Sequence, residues 1–368
     1  MSAPVIPINY MEAVSSLPMS PIQIILLPFS AVYAAVMWLR NKLYDANILP
    51  STSLKTPKLI GVGNLSVGGT GKSPHVEYIV KLLQNDFKVA TLSRGYGRTT
   101  TGFRRVTPKD TADQVGDEPL QFRFKFSESC AVAVDENRVH GVHEIVKQFP
   151  KTDVIVLDDV FQHRKIQPHL QILLTDHNKL FTRDWVLPAG RLREPSSGKN
   201  RADVVVVTKC PETLSAHERI AITNELALTT NQSLFFSKLH FGELRSIVDH
   251  SIVKLPSDAG VIILSGIANP AGLERYIRSI AKVYEPVTFP DHHLFTDRDI
   301  EQVLSKFESL SSTLKFIITT EKDAVRLQRL TSFEKIKSYT LVQPIEVKFD
   351  ESDENRFNQI IYDLLRNH

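Results

Sequence analysis

Residues 66–73 read Ser-Val-Gly-Gly-Thr-Gly-Lys-Ser, one residue after the apolar run Leu59-Ile-Gly-Val-Gly-Asn64 and directly before a helix-like stretch that opens at Pro74. Strand, glycine turn, lysine, hydroxyl and helix in this order form a phosphate-binding loop. Turn glycines let backbone N–H groups converge on phosphate oxygens, the lysine reaches the terminal phosphates, and the last hydroxyl faces a divalent cation at the helix N-terminus. Lys72 and Ser73 take the last two roles, and Ser66, Val67, Gly68, Gly69, Thr70 and Gly71 supply the cradle. The leading position departs from the usual pattern, with Ser66 where glycine would stand. Pro74 is tolerated because the first turn of a helix leaves its N–H groups without intrahelical partners. The bland alternative is a tight turn beside a solvated lysine; the flanking strand and helix argue against it.

Outward from this loop, short β-branched runs alternate with longer amphipathic stretches, the pattern of βαβ units in a parallel sheet. Expected strands are 59–64, 88–93, 131–135, 153–158, 170–176 and 203–209, then a second group at 261–266, 286–290, 315–321 and 339–347. The fold class is therefore α/β: a P-loop NTPase-type parallel-sheet domain over 51–230, a second, smaller α/β domain over 231–368 with a hinge at about 230–257, and an N-terminal region over 1–50. A chain of 368 residues is long enough for two such units. With 44 basic and 41 acidic residues the net charge is only +3, so bulk attraction to nucleic acid is not expected. The cysteines, Cys130 and Cys210, lack metal-ligand spacing and are too few for a disulfide framework.

The strand at 153–158 ends in Asp158 and Asp159, at the carboxyl edge where open parallel sheets bind ligands. Beside a phosphate loop this is a Walker B arrangement, and a carboxylate there holds the Mg²⁺ that bridges the β- and γ-phosphates of ATP. Either aspartate suits the role. Ile22 to Leu39 carries no charge and is followed by Arg40 and Lys42. A span needs about 20 apolar residues, and Gln23, Pro28 and Ser30 interrupt this one. A helix lying in the membrane interface fits better, with Tyr33 and Trp38 at headgroup depth and the cations toward anionic lipid. A buried core helix is the alternative.

Taken together, the N-terminal apolar helix, GNLSVGGTGKSP (63–74), SRGYGR (93–98), GDEP (116–119), LDDVFQHR (157–164), PAGRLREP (188–195), SGIANP (265–270), FPDHHLF (289–295) and TTEKDAV (319–325) closely resemble the tetraacyldisaccharide 4'-kinase family. The resemblance covers most of the chain. It implies transfer of the γ-phosphate of ATP to the 4'-hydroxyl of tetraacyldisaccharide 1-phosphate, giving lipid IVA, at the cytoplasmic face of the inner membrane of a Gram-negative bacterium. Substrate lipid and membrane surface are the implied partners, with no nucleic acid and no obligate protein partner. The family commonly has Asp-Asp-Gly-Phe-Gln-His where this chain has Val160.

The resemblance makes Asp117 the base that activates the hydroxyl, with Glu118 as its accessory and His292 as its partner across the cleft; His293 is the alternative. Asp291-His292-His293 also carries metal-ligand side chains, but adjacent ligands point apart and no further ligand stands nearby in sequence. Arg193 and Glu194 carry over as active-site residues, since a guanidinium neutralises a transferring phosphoryl group. Arg191, Arg138 and Arg94 carry over as substrate-binding groups, and Tyr96 stands beside Arg94. Glu321, Lys322 and Asp323 either approach the nucleotide or cap a helix. Thr208-Lys209 lacks the aspartate that would read guanine.

Overall fold

A computed structural model describes residues 19–291 and 293–366 of the chain. Helix α1 (Pro21–Asp45) leads into β1 (Lys58–Asn64), α2 (Lys72–Leu83), β2 (Val89–Ser93) and the short β3 (Arg104–Arg105). Then come α3 (Asp117–Phe126), β4 (Cys130–Val134), α4 (Arg138–Gln148), β5 (Val154–Asp158), β6 (Leu170–Asp176), β7 (Val204–Thr208), α5 (Ala216–Leu226) and β8 (Ser233–Phe241). The remainder is β9 (Arg245–Ser246), β10 (Gly260–Ser265), α6 (Ala271–Ile280), β11 (Val283–Thr288), α7 (Asp297–Ser309), β12 (Lys315–Thr320), α8 (Glu321–Leu327), β13 (Thr340–Gln343), β14 (Ile345–Phe349) and α9 (Glu351–Arg366).

Nine strands form one sheet in the order β14-β8-β7-β6-β1-β5-β2-β4-β3, parallel except for its two edges, β14 and β3. The central strands are buried on both faces, which explains their near-continuous apolar runs. β1 sits between β5 and β6, so the phosphate loop and the Asp158 strand end emerge side by side. The second sheet runs β11-β10-β12-β13-β9, with β9 antiparallel.

Strand pairing divides the C-terminal third differently from the expected boundary at 231. β8 joins the larger sheet, and the run expected as one strand over 339–347 is two strands in different sheets. The break falls at Pro344, which has no N–H to continue a ladder. Beyond it β14 pairs antiparallel with β8, and α9 buries Phe357, Ile361 and Leu365 in the same core as Ile60, Val76 and Phe235. The second unit is thus an insertion between β8 and β14. Its two crossings lie together: Gly242 N–H donates to Pro344 O at 3.0 Å, and Gln343 Nε2 donates to Gly242 O at 2.7 Å.

Helix α1 begins with a capping box, Ser20 and Gln23 satisfying each other's backbone N–H groups. It has two faces. Gln23, Ser30, Tyr33, Arg40, Asn41 and Tyr44 recur at helical spacing and meet the body of the protein. Ile22, Ile25, Phe29, Val32, Val36 and Leu39 form the opposite stripe and are exposed. The alternative of a buried core helix fails, since only 6% of its most apolar 18-residue window is buried. By length and composition the helix is also long enough to cross a membrane.

Candidate active site

The phosphate loop is held from three sides. Gly71 caps α2 with φ +87°, a left-handed conformation that a side chain would strain. Val67 N–H donates to Arg191 O at 2.8 Å, Thr208 Oγ1 donates to Thr70 O at 2.8 Å, and Lys209 Nζ donates to Gly69 O. Thr208-Lys209 therefore braces the loop. His75 is buried beneath it, bonded to Gly71 O and Ser237 Oγ, and burial drives its pKa down to about 4, so the ring is neutral.

Lys72 Nζ lies 3.3 Å from Asn64 Oδ1 and 3.6 Å from Asp159 Oδ1. Arg193 Nη1 contacts both oxygens of Asp159, at 3.0 and 2.9 Å. Burial acts to raise the Asp159 carboxyl, but Lys72, Arg193 and Arg138 outweigh it and hold it below its ordinary range. Asp158 differs. Burial pushes its carboxyl up to about 7, with Glu118 and Asp159 adding like-charge repulsion against Lys72 and Arg138. Its Oδ1 is buried without a hydrogen-bond partner among the described residues. Glu118, which accepts from Ser73 Oγ, is close enough to act on Asp158 electrostatically, and such anion-crowded carboxylates are oxygen donors of the kind a hard divalent cation takes. The left-handed residue of this turn is Asp159, φ +49°, and Val160 packs into the core at 2% exposure, so glycine is not needed at 160.

Gly116 puts Asp117 and Glu118 at the first turn of α3. Its φ is +91°, and a Cβ there would stand 3.1 Å from Tyr96 O. Glu118 Oε1 accepts from Ser73 Oγ at 2.8 Å and from Lys322 Nζ at 2.9 Å. Burial works to raise the Glu118 carboxyl, and Lys322, Ser73 and Lys72 together keep it low. Asp117 Oδ2 accepts from Arg326 Nε at 3.0 Å and Nη2 at 2.5 Å. Lys322 and Arg326 both belong to α8, so the second unit contacts both acids. Arg326 went unnoticed in the sequence: it lies 209 residues from Asp117, and only TTEKDAV just before it hinted at the region.

Other expected residues are placed as follows. His292 lies outside the described residues. Its neighbour Asp291 acts electrostatically on Arg326, the residue that pairs with Asp117. His293 is committed elsewhere, bonded to Asp299 at 3.0 Å and stacked on Phe289. Glu194 is a correction: it is 0% exposed, and its carboxylate accepts from Asn41, Gln162 and Arg201 at 2.7, 3.0 and 2.8 Å. With both oxygens taken, it ties its loop to α1. Arg191 pairs with Asp184 at 2.8 Å and shapes the phosphate loop through its carbonyl.

Arg138 is also largely structural. It is 2% exposed and donates to Asp135 O and Asp158 O at 2.6 and 3.1 Å; burial lowers its pKa to about 10. Arg94 is exposed and close enough to Arg138 and His163 to disfavour their charged forms. His163 is brought down to about 4, by burial first and then by Arg138, Arg94 and Arg40. Arg40, Arg138, Arg164 and Lys165, together with the acidic Glu136 and the neutral His163, line a cavity of about 270 Å³ between the C-terminal end of α1 and the Asp158 turn. Glu321 pairs with Lys125, and the cap of α8 is Thr320, whose Oγ1 accepts from the Asp323 N–H at 3.1 Å.

Comparison with known proteins places the chain in a family. The family model described as tetraacyldisaccharide-1-P 4'-kinase (LpxK) matches residues 22–366. The chain is 42% identical to the tetraacyldisaccharide 4'-kinase of Bacteroides thetaiotaomicron over 354 residues, covering 93% of each chain. It is also 42% identical to that of Flavobacterium johnsoniae over 333 residues, covering 90% of this chain and 94% of the other. The crystal structure of Aquifex aeolicus LpxK in complex with ATP superposes with a TM-score of 0.73 at 30% identity, covering 94% of this chain and 99% of that one. A family model matching nearly the whole chain, relatives 42% identical over nine-tenths of it and a shared fold agree, and the chain belongs to the tetraacyldisaccharide 4'-kinase family.

Proposed function

We propose that the protein transfers the γ-phosphate of ATP to the 4'-hydroxyl of tetraacyldisaccharide 1-phosphate at the cytoplasmic face of the inner membrane. The observation that carries this reading is the 2.8 Å bond from Ser73 Oγ to Glu118, which puts the phosphate-loop hydroxyl one residue from Asp117. Phosphoryl transfer needs little beyond positioning and charge. The loop amides and Lys72 hold the β- and γ-phosphates. Ser73 with Asp158 or Asp159 would hold Mg²⁺, which when bound neutralises charge across those phosphates. Arg193, already bidentate on Asp159, lies beside the lysine and steadies charge on the moving phosphoryl group. Asp117 accepts the proton of the sugar hydroxyl, with His292 as its partner.

The insertion between β8 and β14 moves as a unit about the adjacent crossings at Gly242 and Pro344 and excludes water when it closes. The exposed stripe of α1 rests in the bilayer interface, so a lipid with four acyl chains reaches the site without leaving the membrane. The basic cavity beside the foot of α1 suits the anionic end of the acceptor.

The test incubates the protein with γ-labelled ATP, Mg²⁺ and tetraacyldisaccharide 1-phosphate in mixed micelles, beside Lys72→Ala and Asp117→Asn. Label in the lipid is expected, lost with Lys72→Ala and slowed about a hundredfold or more with Asp117→Asn. ATP hydrolysis without labelled lipid, undiminished in Asp117→Asn, would mark a hydrolytic switch and overturn the proposal.

A further inference from the structure

Helix α8 is the arm of the second unit that enters the site. Lys322 and Arg326 stand four residues apart on one helical face and meet Glu118 and Asp117, consecutive residues on α3. Arg326 is 2% exposed. Within its own unit its Nη1 donates to Gly266 O at 3.1 Å and to Asp323 Oδ1 at 3.0 Å. Asp323, 0% exposed, is fixed in turn by Gly266 N–H at 2.9 Å and Thr320 Oγ1 at 2.8 Å. The guanidinium is thereby held before it reaches across the cleft, and its Nε and Nη2 meet Asp117 as a preorganised fork.

We infer that Arg326 is a positioning residue for phosphoryl transfer. It orients the Asp117 carboxylate toward the acceptor hydroxyl, and it makes docking of the second unit a condition for that alignment. Lys322 does the same for Glu118, and through Glu118 for the hydroxyl of Ser73, so one short helix sets both the base and the loop hydroxyl. The inference rests on the reading of Asp117 as the base. A purely structural arginine would need only the Asp323 and Gly266 contacts; the third contact goes to a different unit and to the one carboxylate that the chemistry requires to be aimed.

The test measures kcat, KM for ATP and thermal midpoint for Arg326→Gln and Arg326→Lys, each also in an Asp117→Asn background, with the labelled-product assay followed long enough to resolve slow turnover. Arg326→Gln is expected to lower kcat about thirtyfold, roughly 2 kcal/mol of transition-state stabilisation, with KM for ATP within twofold. Arg326→Lys keeps the buried charge opposite Asp323 but loses the fork, so it is expected to lose three- to tenfold and serves where the glutamine variant fails to fold. In Asp117→Asn neither substitution should cost more than a further twofold, because the group on which Arg326 acts is gone. Full-sized losses in that background, or a kcat per folded molecule within twofold of wild type for both variants, would overturn the inference. Wild-type turnover by Asp117→Asn itself would instead overturn the reading of the base.

Discussion

Glu194 gives the sharpest separation between a structural and a chemical role. Its carboxylate is fully buried and holds three elements together: Asn41 on α1, Gln162 in the turn after Asp159, and Arg201. Replacing it with alanine leaves Arg201 without its buried counter-charge and strips Asn41 and Gln162 of an acceptor. Breaking a fully buried pair from one side costs about 3–5 kcal/mol, and because the Arg201 side chain is 21% exposed and partly hydrated the low end of that range applies. At roughly 2–4 °C per kcal/mol for a unit of this size, a 3 kcal/mol loss lowers the thermal midpoint by roughly 6–12 °C. Glu194→Gln, which keeps one acceptor oxygen and the volume, falls between the two. The assay is thermal unfolding followed by circular dichroism, paired with kcat per folded molecule. A Glu194→Ala protein with an unchanged midpoint and a kcat reduced a hundredfold would refute the reasoning and return Glu194 to the catalytic set.

Three further outcomes follow. Glu77 shares the single cation Lys125 with Glu321, and burial first and Glu321 second raise its carboxyl to about 7. The folded state thus binds the proton more tightly than the unfolded chain, and stability is lost as pH rises from about 4.5 through 7; midpoints of Glu77→Gln should fall less over that window, and parallel curves would contradict this. Ile25→Glu with Phe29→Glu places charge on the exposed stripe of α1 and should cut liposome co-flotation at least tenfold while ATP binding is unchanged; undiminished flotation would contradict the membrane role. Gly116→Ala forces a side chain to φ +91° and should cost about 1–3 kcal/mol of stability, read from denaturant midpoints, with an unchanged midpoint the contrary result.

What was legible in the sequence was local. The phosphate loop, the Asp158 strand end and GDEP are each formed by neighbours in the chain, so their residue types and spacing carried their geometry. The buried strands were legible for the same reason, since a parallel strand covered on both faces is apolar throughout. Pairings across large separations were not. Arg326 meets Asp117 over 209 residues, and nothing in either string names the other. Glu194 was given an active-site role by the family resemblance, whereas its partners Asn41 and Arg201 are supplied by the tertiary fold. The return of 345–366 to the first core was hidden because Tyr339-Thr-Leu-Val-Gln-Pro-Ile-Glu-Val347 has one continuous β pattern; the proline at 344 marks where the ladder changes sheets.

The central claim is that the two units assemble one site that moves a phosphoryl group from ATP to a sugar hydroxyl of a membrane lipid. Its most direct test is the structure of the product: lipid recovered from a reaction with ATP and tetraacyldisaccharide 1-phosphate, analysed by tandem mass spectrometry and phosphorus NMR. The account predicts one new phosphate monoester, on the 4'-oxygen of the distal sugar, formed in step with ADP and slowed about a hundredfold or more with Asp117→Asn. Stoichiometric inorganic phosphate and unaltered lipid would contradict it.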